Sequence, residues 1–183
     1  MVIVSLRRDT LTTMLQTENS ILIRRRIEDV YQFVATDFFE TYPRWSPQVS
    51  ELEKLSSGPM RVGVVGRQVR FDGGYRSEAR FQVTHFTPLL ELRFVSMTNP
   101  RFEVHYRFKP VACDTRLTFN FNLELPFLIR PLRHRVGEVV KRGGSCVLHN
   151  LKILLETAPA LDGDELSDVP RQVGRAVHRT ESG

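Results

Sequence analysis

The stretch 102-FEVHYRFKPVACDTRLTFNFNLEL-125 decides the fold, because it contains two runs in which apolar and polar residues alternate. Successive side chains of a β-strand point to opposite faces, so each run predicts a strand with one apolar and one polar face. The apolar positions include Phe102, Tyr106, Phe119 and Phe121. Residues 110–114 connect the runs closely, which favours antiparallel pairing.

A long helical pattern follows, from Leu132 to Thr157. Its apolar and small residues recur every three or four positions, as on the buried face of a helix. These residues are Val136, Val140, Gly143, Val147, Leu151 and Leu154. Such a helix can cover the aromatic face of the two strands. The interior between them is then either a solid core or a cavity for a ligand.

The residues upstream predict a first strand, two short helices and four further strands. The strands are expected at 20–26, 49–55, 63–71, 75–86 and 90–97, and the helices at 27–35 and 36–42. Asp72-Gly73-Gly74 predicts a hairpin turn, because glycine tolerates the positive φ of tight turns. The expected fold is α+β: a curved antiparallel sheet of about seven strands wrapped around the long C-terminal helix, with two short helices after the first strand.

A length of 183 residues predicts one domain with tails. We expect an N-terminal extension (1–18), a ligand-binding domain (19–157) and a mobile C-terminal tail (158–183), in which polar residues replace the apolar periodicity. The charges near the N-terminus follow the apolar residues, which argues against a secretory signal. Cys113 and Cys146 have no metal-binding spacing, so we expect reduced thiols and a cytoplasmic protein.

The net charge of +5 raises the question of a nucleic-acid partner. Six arginines occur singly, at strand positions that alternate with the aromatic residues and are predicted to face outward. They are Arg70, Arg76, Arg80, Arg93, Arg107 and Arg116. Nucleic-acid binders usually combine clustered charge with stacking aromatics on one face. No nucleic-acid partner is therefore expected.

The order of elements and the residues at their joints resemble the START-like superfamily of helix-grip proteins, also called SRPBCC, which includes the polyketide cyclase/dehydrase family. The matching segments are ILIRRRIEDVYQFVATD (21–37), PRWSP (43–47), SSGPMRVG (56–63), YRSEARFQVTHFTPLLELRF (75–94), YRFKPVACDTRLTF (106–119) and LHNLKILLE (148–156). The resemblance implies a deep cavity between sheet and helix that binds hydrophobic small molecules. It implies no particular reaction.

The predicted ligand-binding residues lie on apolar strand faces, after the second short helix, and on the small-residue stretch of the long helix. They are Trp45, Arg67, Tyr75, Ser77, Phe81, Phe94, Tyr106, Phe119, Phe121, Gly143 and Val147. The small helix residues either leave room for a ligand or mark a kink or close packing on a phenylalanine. Arg67 could anchor a ligand oxygen, pair with Glu51 or Glu53, or extend its head into water at the sheet rim.

Three functions remain open. The leading hypothesis is binding of a hydrophobic or aromatic small molecule, such as a lipid, a quinone or a polyketide, without a cofactor. The second is a cofactor-independent enzyme of the cyclase/dehydrase kind acting on a polyketide-like substrate. No nucleophile elbow, phosphate-binding loop or metal motif is present, so no catalytic or metal-binding residue is predicted. The third is an interaction module that uses the apolar lip Phe127–Ile129 as a lid, a homodimer contact or a transient membrane contact.

Overall fold

The computed structural model describes residues 12–72, 74–126 and 133–157. It contains a seven-stranded antiparallel sheet with the strand order β1-β7-β6-β5-β4-β3-β2. The strands are β1 (Thr12–Ile23), β2 (Val49–Lys54), β3 (Val65–Asp72), β4 (Tyr75–Thr87), β5 (Glu91–Ser96), β6 (Phe102–Val111) and β7 (Asp114–Pro126). The predicted α+β fold is confirmed: β2 to β7 form a meander, and β1 closes onto β7.

The helices lie where the periodicity placed them. They are α1 (Ile27–Tyr31), which continues into a π-helical segment (Gln32–Thr36), α2 (Phe38–Trp45) and α3 (Arg133–Thr157). The second helix was expected to end at Tyr42, before Pro43. It instead continues through Pro43 to Trp45, the last residue of α2. This extension places Trp45 in the core, where its side chain is fully buried.

β1 begins at Thr12 rather than at Ser20, so residues 12–18 of the expected N-terminal extension are part of the sheet. β1 pairs with β7 along its whole length, from Thr12 opposite Pro126 to Ile23 opposite Thr115. The inward-facing positions of this segment include Thr17 and Asn19. Because these residues are polar, the first part of the strand lacks the apolar alternation that identifies a strand in the sequence.

The inner face of the sheet packs against all three helices. One end is closed by α1, where Tyr31 contacts Phe86 and Phe108 at ring distances of 5.8 and 5.0 Å. The C-terminal part of α3 covers the neighbouring interior with a buried stripe at the spacing expected of one helix face. The stripe consists of Gly144, Val147, Leu148, Leu151 and Leu155. α3 therefore lies across the inner face of the sheet, beside β1.

Candidate functional site

A continuous row of aromatic side chains runs along the inner face of the sheet. Trp45 packs edge-on against Tyr106 at 6.1 Å, and Tyr106 contacts Phe119 at 5.2 Å. Phe121 then contacts Phe119 at 6.4 Å and Phe102 at 5.9 Å. The pairing of β6 with β7 produces this row, because it sets Tyr106 opposite Phe119. We call these five side chains the aromatic row.

Burial changes along the aromatic row. Trp45 and Tyr106 are 0% and 1% exposed and belong to the packed core. Phe119, Phe121 and Phe102 face inward on the same sheet but are only half-buried. An inward-facing ring that remains partly exposed is incompletely covered by the residues that the structure describes. The row therefore runs from a packed end to an incompletely covered end.

The N-terminal part of α3 lies above the incompletely covered end. A side chain at Gly137 would contact Leu15, which pairs with Leu123 of β7. A side chain at Gly144 would contact Phe119, two pleats further along β7. Residues 137–144 therefore pass over the segment from Phe119 to Leu123. Val140, in the middle of this helical segment, is half-buried like the rings below it.

The two adjacent glycines of α3 have different surroundings. A Cβ atom on Gly144 would lie 2.6 Å from Asn19 Nδ2 and 3.1 Å from Phe119 Cε1, so the helix approaches the sheet closely there. A Cβ atom on Gly143 would have no neighbouring atom within 4 Å. Gly144 is thus required for close packing, whereas Gly143 borders open space.

A charged side chain lies beyond Trp45, at the packed end of the aromatic row. Arg70 of β3 reaches across the inner face to α2, where its guanidinium donates to the Tyr42 hydroxyl at 3.1 Å. It also donates to the Asp72 carboxylate at 3.1 Å. Burial alone would lower the pKa of Arg70, but Tyr42 and Asp72 raise it overall, so the guanidinium stays charged. The Tyr42 ring packs edge-on against Trp45 at 4.6 Å, which connects this charge to the aromatic row.

Further polar groups are buried near this arginine. Trp45 Nε1 and Ser46 Oγ have no hydrogen-bond partner among the described residues, although both residues are fully buried. Burial also raises the pKa of Tyr106 well above its usual value, so its hydroxyl remains protonated. Buried donors normally find partners, and unpartnered ones cost free energy. The packed end therefore contains hydrogen-bonding groups without a partner among the described residues.

Residues 14–156 match the sequence profile of the family described as polyketide cyclase / dehydrase and lipid transport. The chain belongs to this family. The match spans the whole sheet except the first residues of β1, together with nearly all of α3. No curated relative matches the chain in sequence.

Solved structures of this superfamily share the fold. A protein of Thermus thermophilus has a TM-score of 0.66 at 19% identity, covering 76% of this chain and 96% of its own. The ZhuI aromatase/cyclase of a Streptomyces species has a TM-score of 0.66 at 16% identity, with coverage of 79% and 94%. A START superfamily protein of Mycobacterium smegmatis has a TM-score of 0.64 at 14% identity, with coverage of 77% and 97%. The predicted helix-grip fold of the START-like superfamily is thereby confirmed.

Most of the residues that were predicted to bind a ligand lie in or around the core. Those in the core or packed against it are Trp45, Phe81, Phe94, Tyr106, Phe119, Phe121 and Val147. Tyr75 and Ser77 instead lie near the tip of the β3–β4 hairpin, where both are exposed, Tyr75 by 82%. Gly143 was expected on the buried stripe of the long helix, but it is exposed on α3, and Gly144 lies in the buried position instead. The ligand-binding role of all these residues remains a prediction.

Arg67 and Arg70 of β3 lie on the opposite faces of the sheet from those that the sequence suggested. Arg67 lies on the outer face, where it donates to Glu51 at 2.9 Å and Glu78 at 2.7 Å, so the ion-pair alternative describes its contacts. Arg70 was expected to face outward and instead faces the interior. The reason is Gly66, whose missing side chain makes room for Phe81 and Phe39: a Cβ there would lie 2.4 Å from Phe81 Cζ. The inner face of β3 is therefore Gly66, Gln68 and Arg70.

Sequence reasoning thus missed Arg70 and Tyr42 as residues of the interior. A glycine within a strand often marks the close approach of another group, and Gly66 was the signal that could have identified the inner face. Phe102 was recognised as an apolar position but was not included among the site residues. It forms the outermost member of the aromatic row.

The remaining observations concern metal ligands, membrane-spanning helices, the two cysteines and the segments outside the described residues. Among the described residues, no group of three or more His, Cys, Asp or Glu side chains could hold a metal ion. No helix in the described ranges is long and apolar enough to cross a membrane. Cys113 and Cys146 are both exposed and unpaired. The apolar lip Phe127–Ile129 and the expected tail 158–183 lie outside the described residues.

Proposed function

We propose that this protein binds a hydrophobic or aromatic small molecule, of a lipid, quinone or polyketide kind, between the aromatic row and the N-terminal part of α3. The observation that carries the proposal is that Phe102, Phe119 and Phe121 are only partly buried, although their rings face inward. A ligand placed on these rings would complete a surface that the protein leaves partly uncovered.

Apolar burial would supply much of the binding free energy. Full burial of a phenylalanine side chain contributes about 1.5–3 kcal/mol relative to full exposure, so several half-buried rings offer a substantial part of this in one place. The ring-on-ring arrangement of the row also suits a planar ligand, because aromatic pairs favour offset and edge-on contacts. The description of the family, which includes lipid transport, supports the same ligand class.

A charged donor lies beyond the packed end of the aromatic row. Arg70, held next to Tyr42, could receive a carbonyl, phenolate or carboxylate oxygen of a ligand long enough to extend from the half-buried rings past Trp45. ANS has an apolar ring system that can pack on the half-buried rings, so it probes the apolar part of the proposed site.

The proposal is tested by titrating ANS fluorescence against the parent and two matched variants. Phe121→Ala removes a half-buried ring of the aromatic row. Phe86→Ala removes a half-buried ring at the closed end, where it contacts Tyr31 at 5.8 Å. We expect saturable ANS binding by the parent, about two- to tenfold weaker binding by Phe121→Ala, and unchanged affinity in Phe86→Ala.

Near-UV circular dichroism of each variant must match that of the parent, because ANS also binds loosely packed proteins. A parent that does not bind ANS in a saturable manner contradicts the proposal. Equal losses of affinity in Phe121→Ala and Phe86→Ala contradict it as well, since the effect would then not come from the aromatic row.

A second candidate function is cyclase/dehydrase catalysis on a polyketide-like substrate, which the partly buried Arg70 specifically favours. A guanidinium next to a tyrosine hydroxyl could stabilise the enolate oxygen that forms when a methylene group loses a proton to water. The enolate carbon then attacks a second carbonyl carbon, the resulting alkoxide takes a proton from water, and the hydroxyl group leaves as water together with a proton of the adjacent carbon. Positioning of the reactive chain would supply much of the rate enhancement. This reaction needs no cofactor.

The two functions are separated by Arg70→Met assayed with a linear poly-β-ketone. If the protein is an enzyme, the parent should accelerate formation of the aromatic product, detected by its ultraviolet absorbance, and Arg70→Met should lose most of that rate while its melting temperature is retained. A parent that binds the compound without accelerating its cyclisation contradicts the enzyme function and leaves carriage as the role.

A further inference from the structure

The hairpin formed by β3 and β4 extends beyond the neighbouring strand. β4 pairs with β3 from Tyr75 onward, but with β5 only from Phe81, which lies opposite Ser96. The segment Tyr75–Ala79 therefore has a strand neighbour on one side only, among the residues that the structure describes. Arg76, Ser77 and Glu78 are exposed, and among the described residues the Glu78 carboxylate accepts only from Arg67 at 2.7 Å and from Arg76 at 3.2 Å.

The unpaired edge presents backbone hydrogen-bonding groups at defined positions. Along an antiparallel strand, residues alternate between bonding to one neighbour and to the other. Arg80 bonds away from β3: its carbonyl accepts from Met97 N at 2.7 Å, and its N–H donates to Thr98 Oγ1 at 3.3 Å. By the same alternation, the N–H and carbonyl groups of Arg76 and Glu78 point to the free edge.

This edge is complementary to itself. If a second strand of the same sequence lies antiparallel with Ser77 opposite Ser77, Arg76 faces the partner's Glu78, and Glu78 faces the partner's Arg76. Both facing pairs are then of the hydrogen-bonded type, so every free N–H and carbonyl of Arg76 and Glu78 obtains a partner. The pairing ends at Arg80, whose groups are already bonded.

The side chains select this register. Opposite charges directly across an antiparallel pair stabilise it, and like charges destabilise it. A shift of the register by one hydrogen-bonded pair in either direction would set Arg76 opposite the partner's Arg76, or Glu78 opposite the partner's Glu78. On the other face, the 82%-exposed Tyr75 would lie opposite the partner's Ala79.

We propose that a second copy of this chain binds at the free edge of β4, forming a two-fold homodimer in which the two sheets join through residues 75–79. An exposed strand edge is a template for pairing with another chain, and the order of charges around Ser77 specifies an identical one. The contact is shorter than a standard stable interface, so the dimer forms reversibly and at high protein concentration.

Sedimentation velocity over a concentration series tests this dimer. Arg76→Glu places like charges opposite each other twice, so we expect dimerisation to weaken about tenfold or more. Arg116→Glu makes the same charge change at an exposed position of β7, away from the hairpin, and should leave the association unchanged. A parent that remains monomeric at all concentrations overturns the proposal, as does an equal effect of the two variants.

Arg76→Pro provides an independent test, because it removes the N–H that points to the free edge while leaving the hydrogen bonds of Tyr75 and Ser77 to β3 in place. It should abolish the dimer and retain the melting temperature of the monomer. Hydrogen exchange gives the location: the Arg76 and Glu78 amides of the parent should become protected as concentration rises. A dimer that forms without this protection uses another surface and overturns the proposal.

Discussion

At the residue scale, the adjacent glycines of α3 separate close packing from open space. Gly144 lies against Asn19 and Phe119, and Ser145 next to it donates to Asn19 Oδ1 at 2.8 Å. The helix is therefore held against β1 at this point. Gly143 has no such contact. Substitution of the two residues should consequently have opposite effects on stability.

We expect Gly143→Ala to raise the free energy of unfolding by about 0.5–1 kcal/mol, because alanine is a better helix former than glycine. Gly144→Ala gains the same helix propensity but places a Cβ atom 2.6 Å from Asn19 Nδ2. Overpacking of this kind costs about 1–3 kcal/mol, so Gly144→Ala should lower stability. Urea unfolding of both variants measures the difference. Equal stabilities would contradict the described positions of the two glycines.

Val140→Phe extends the same reasoning to binding. Val140 is half-buried above the inward-facing rings, so a larger side chain there should occupy part of the proposed site and lower ANS affinity while the fold remains intact. Gly143→Leu, at an exposed position of the same helix, is the control and should bind ANS like the parent. Equal ANS affinities of the two variants would contradict the position of the proposed site.

The arginines of β3 mark the limit of sequence reasoning at this scale. Alternation correctly predicts that Arg67 and Arg70 lie on opposite faces, but it does not state which face is the inner one. Val65 and Val69 made the face of Arg67 the more apolar of the two, whereas the ring of Phe81 requires the space at Gly66. That requirement comes from another strand and is absent from the local pattern.

At the element scale, hydrogen bonds at its C-terminal end hold α3 to the chain after β1. The Glu156 carboxylate accepts from the Arg24 backbone N–H at 2.8 Å and from Lys152 Nζ at 2.7 Å. Arg25 Nε donates to the Leu155 carbonyl at 2.7 Å. These contacts fix one end of α3, while its N-terminal part lies over the incompletely covered rings.

The contacts of Glu156 predict that the free energy of unfolding decreases at low pH. Burial alone would raise the pKa of Glu156, but the hydrogen bonds from Lys152 and Arg24 lower it to about 2. Because the folded pKa lies below the unfolded one, this stabilisation is present at neutral pH and is lost as pH falls from about 4.5 towards 2. Urea unfolding at pH 7, 4 and 2.5 should show that Glu156→Gln loses less stability on acidification than the parent.

Glu28→Gln is the control, since Glu28 is an exposed carboxylate that pairs with Arg26 at 3.3 Å. It should follow the parent across the pH series. If Glu156→Gln also follows the parent, the contacts at the end of α3 contribute nothing to the acid dependence.

Strands were predicted well where one face is clearly apolar and the other clearly polar. The existence and pairing of β6 and β7 follow from their alternation of aromatic and polar residues, and α3 follows from its apolar stripe. The strands extend further towards each other than expected, because Pro110, Val111 and Asp114 of the expected connection belong to them. The start of β1 was missed because Thr17 and Asn19 face inward; Asn19 is satisfied on one side by Ser145 of α3. A polar inward residue paired with a distant helix leaves no local signal.

At the scale of the whole molecule, one end of the interior is packed and the other is incompletely covered. The packed end combines α1, α2 and the C-terminal part of α3 around Trp45 and Leu151, both fully buried. The fold and the aromatic character of the interior could be predicted from the sequence. Which rings remain half-exposed could not, because it depends on how closely α3 approaches each strand.

The core described above is completed by residues up to Thr157, so we predict that the domain needs nothing beyond them. Truncation at Ala160 should leave the melting temperature unchanged within about 1 °C, because apolar periodicity ends with α3 and surface segments contribute little to stability. Differential scanning calorimetry of the truncated and full chains checks this. A fall of several degrees would show that later residues dock on the domain.

The central claim is that a hydrophobic molecule binds on the aromatic row beneath α3, and amide NMR spectra recorded during an ANS titration test it most directly. The account predicts saturable shifts of the Phe119, Phe121, Val140 and Val147 signals, on both sides of the proposed site. Signals of the distant edge strand β2 should stay in place. Shifts confined to exposed apolar residues such as Leu90 and Val139, or the absence of saturation, would contradict the claim.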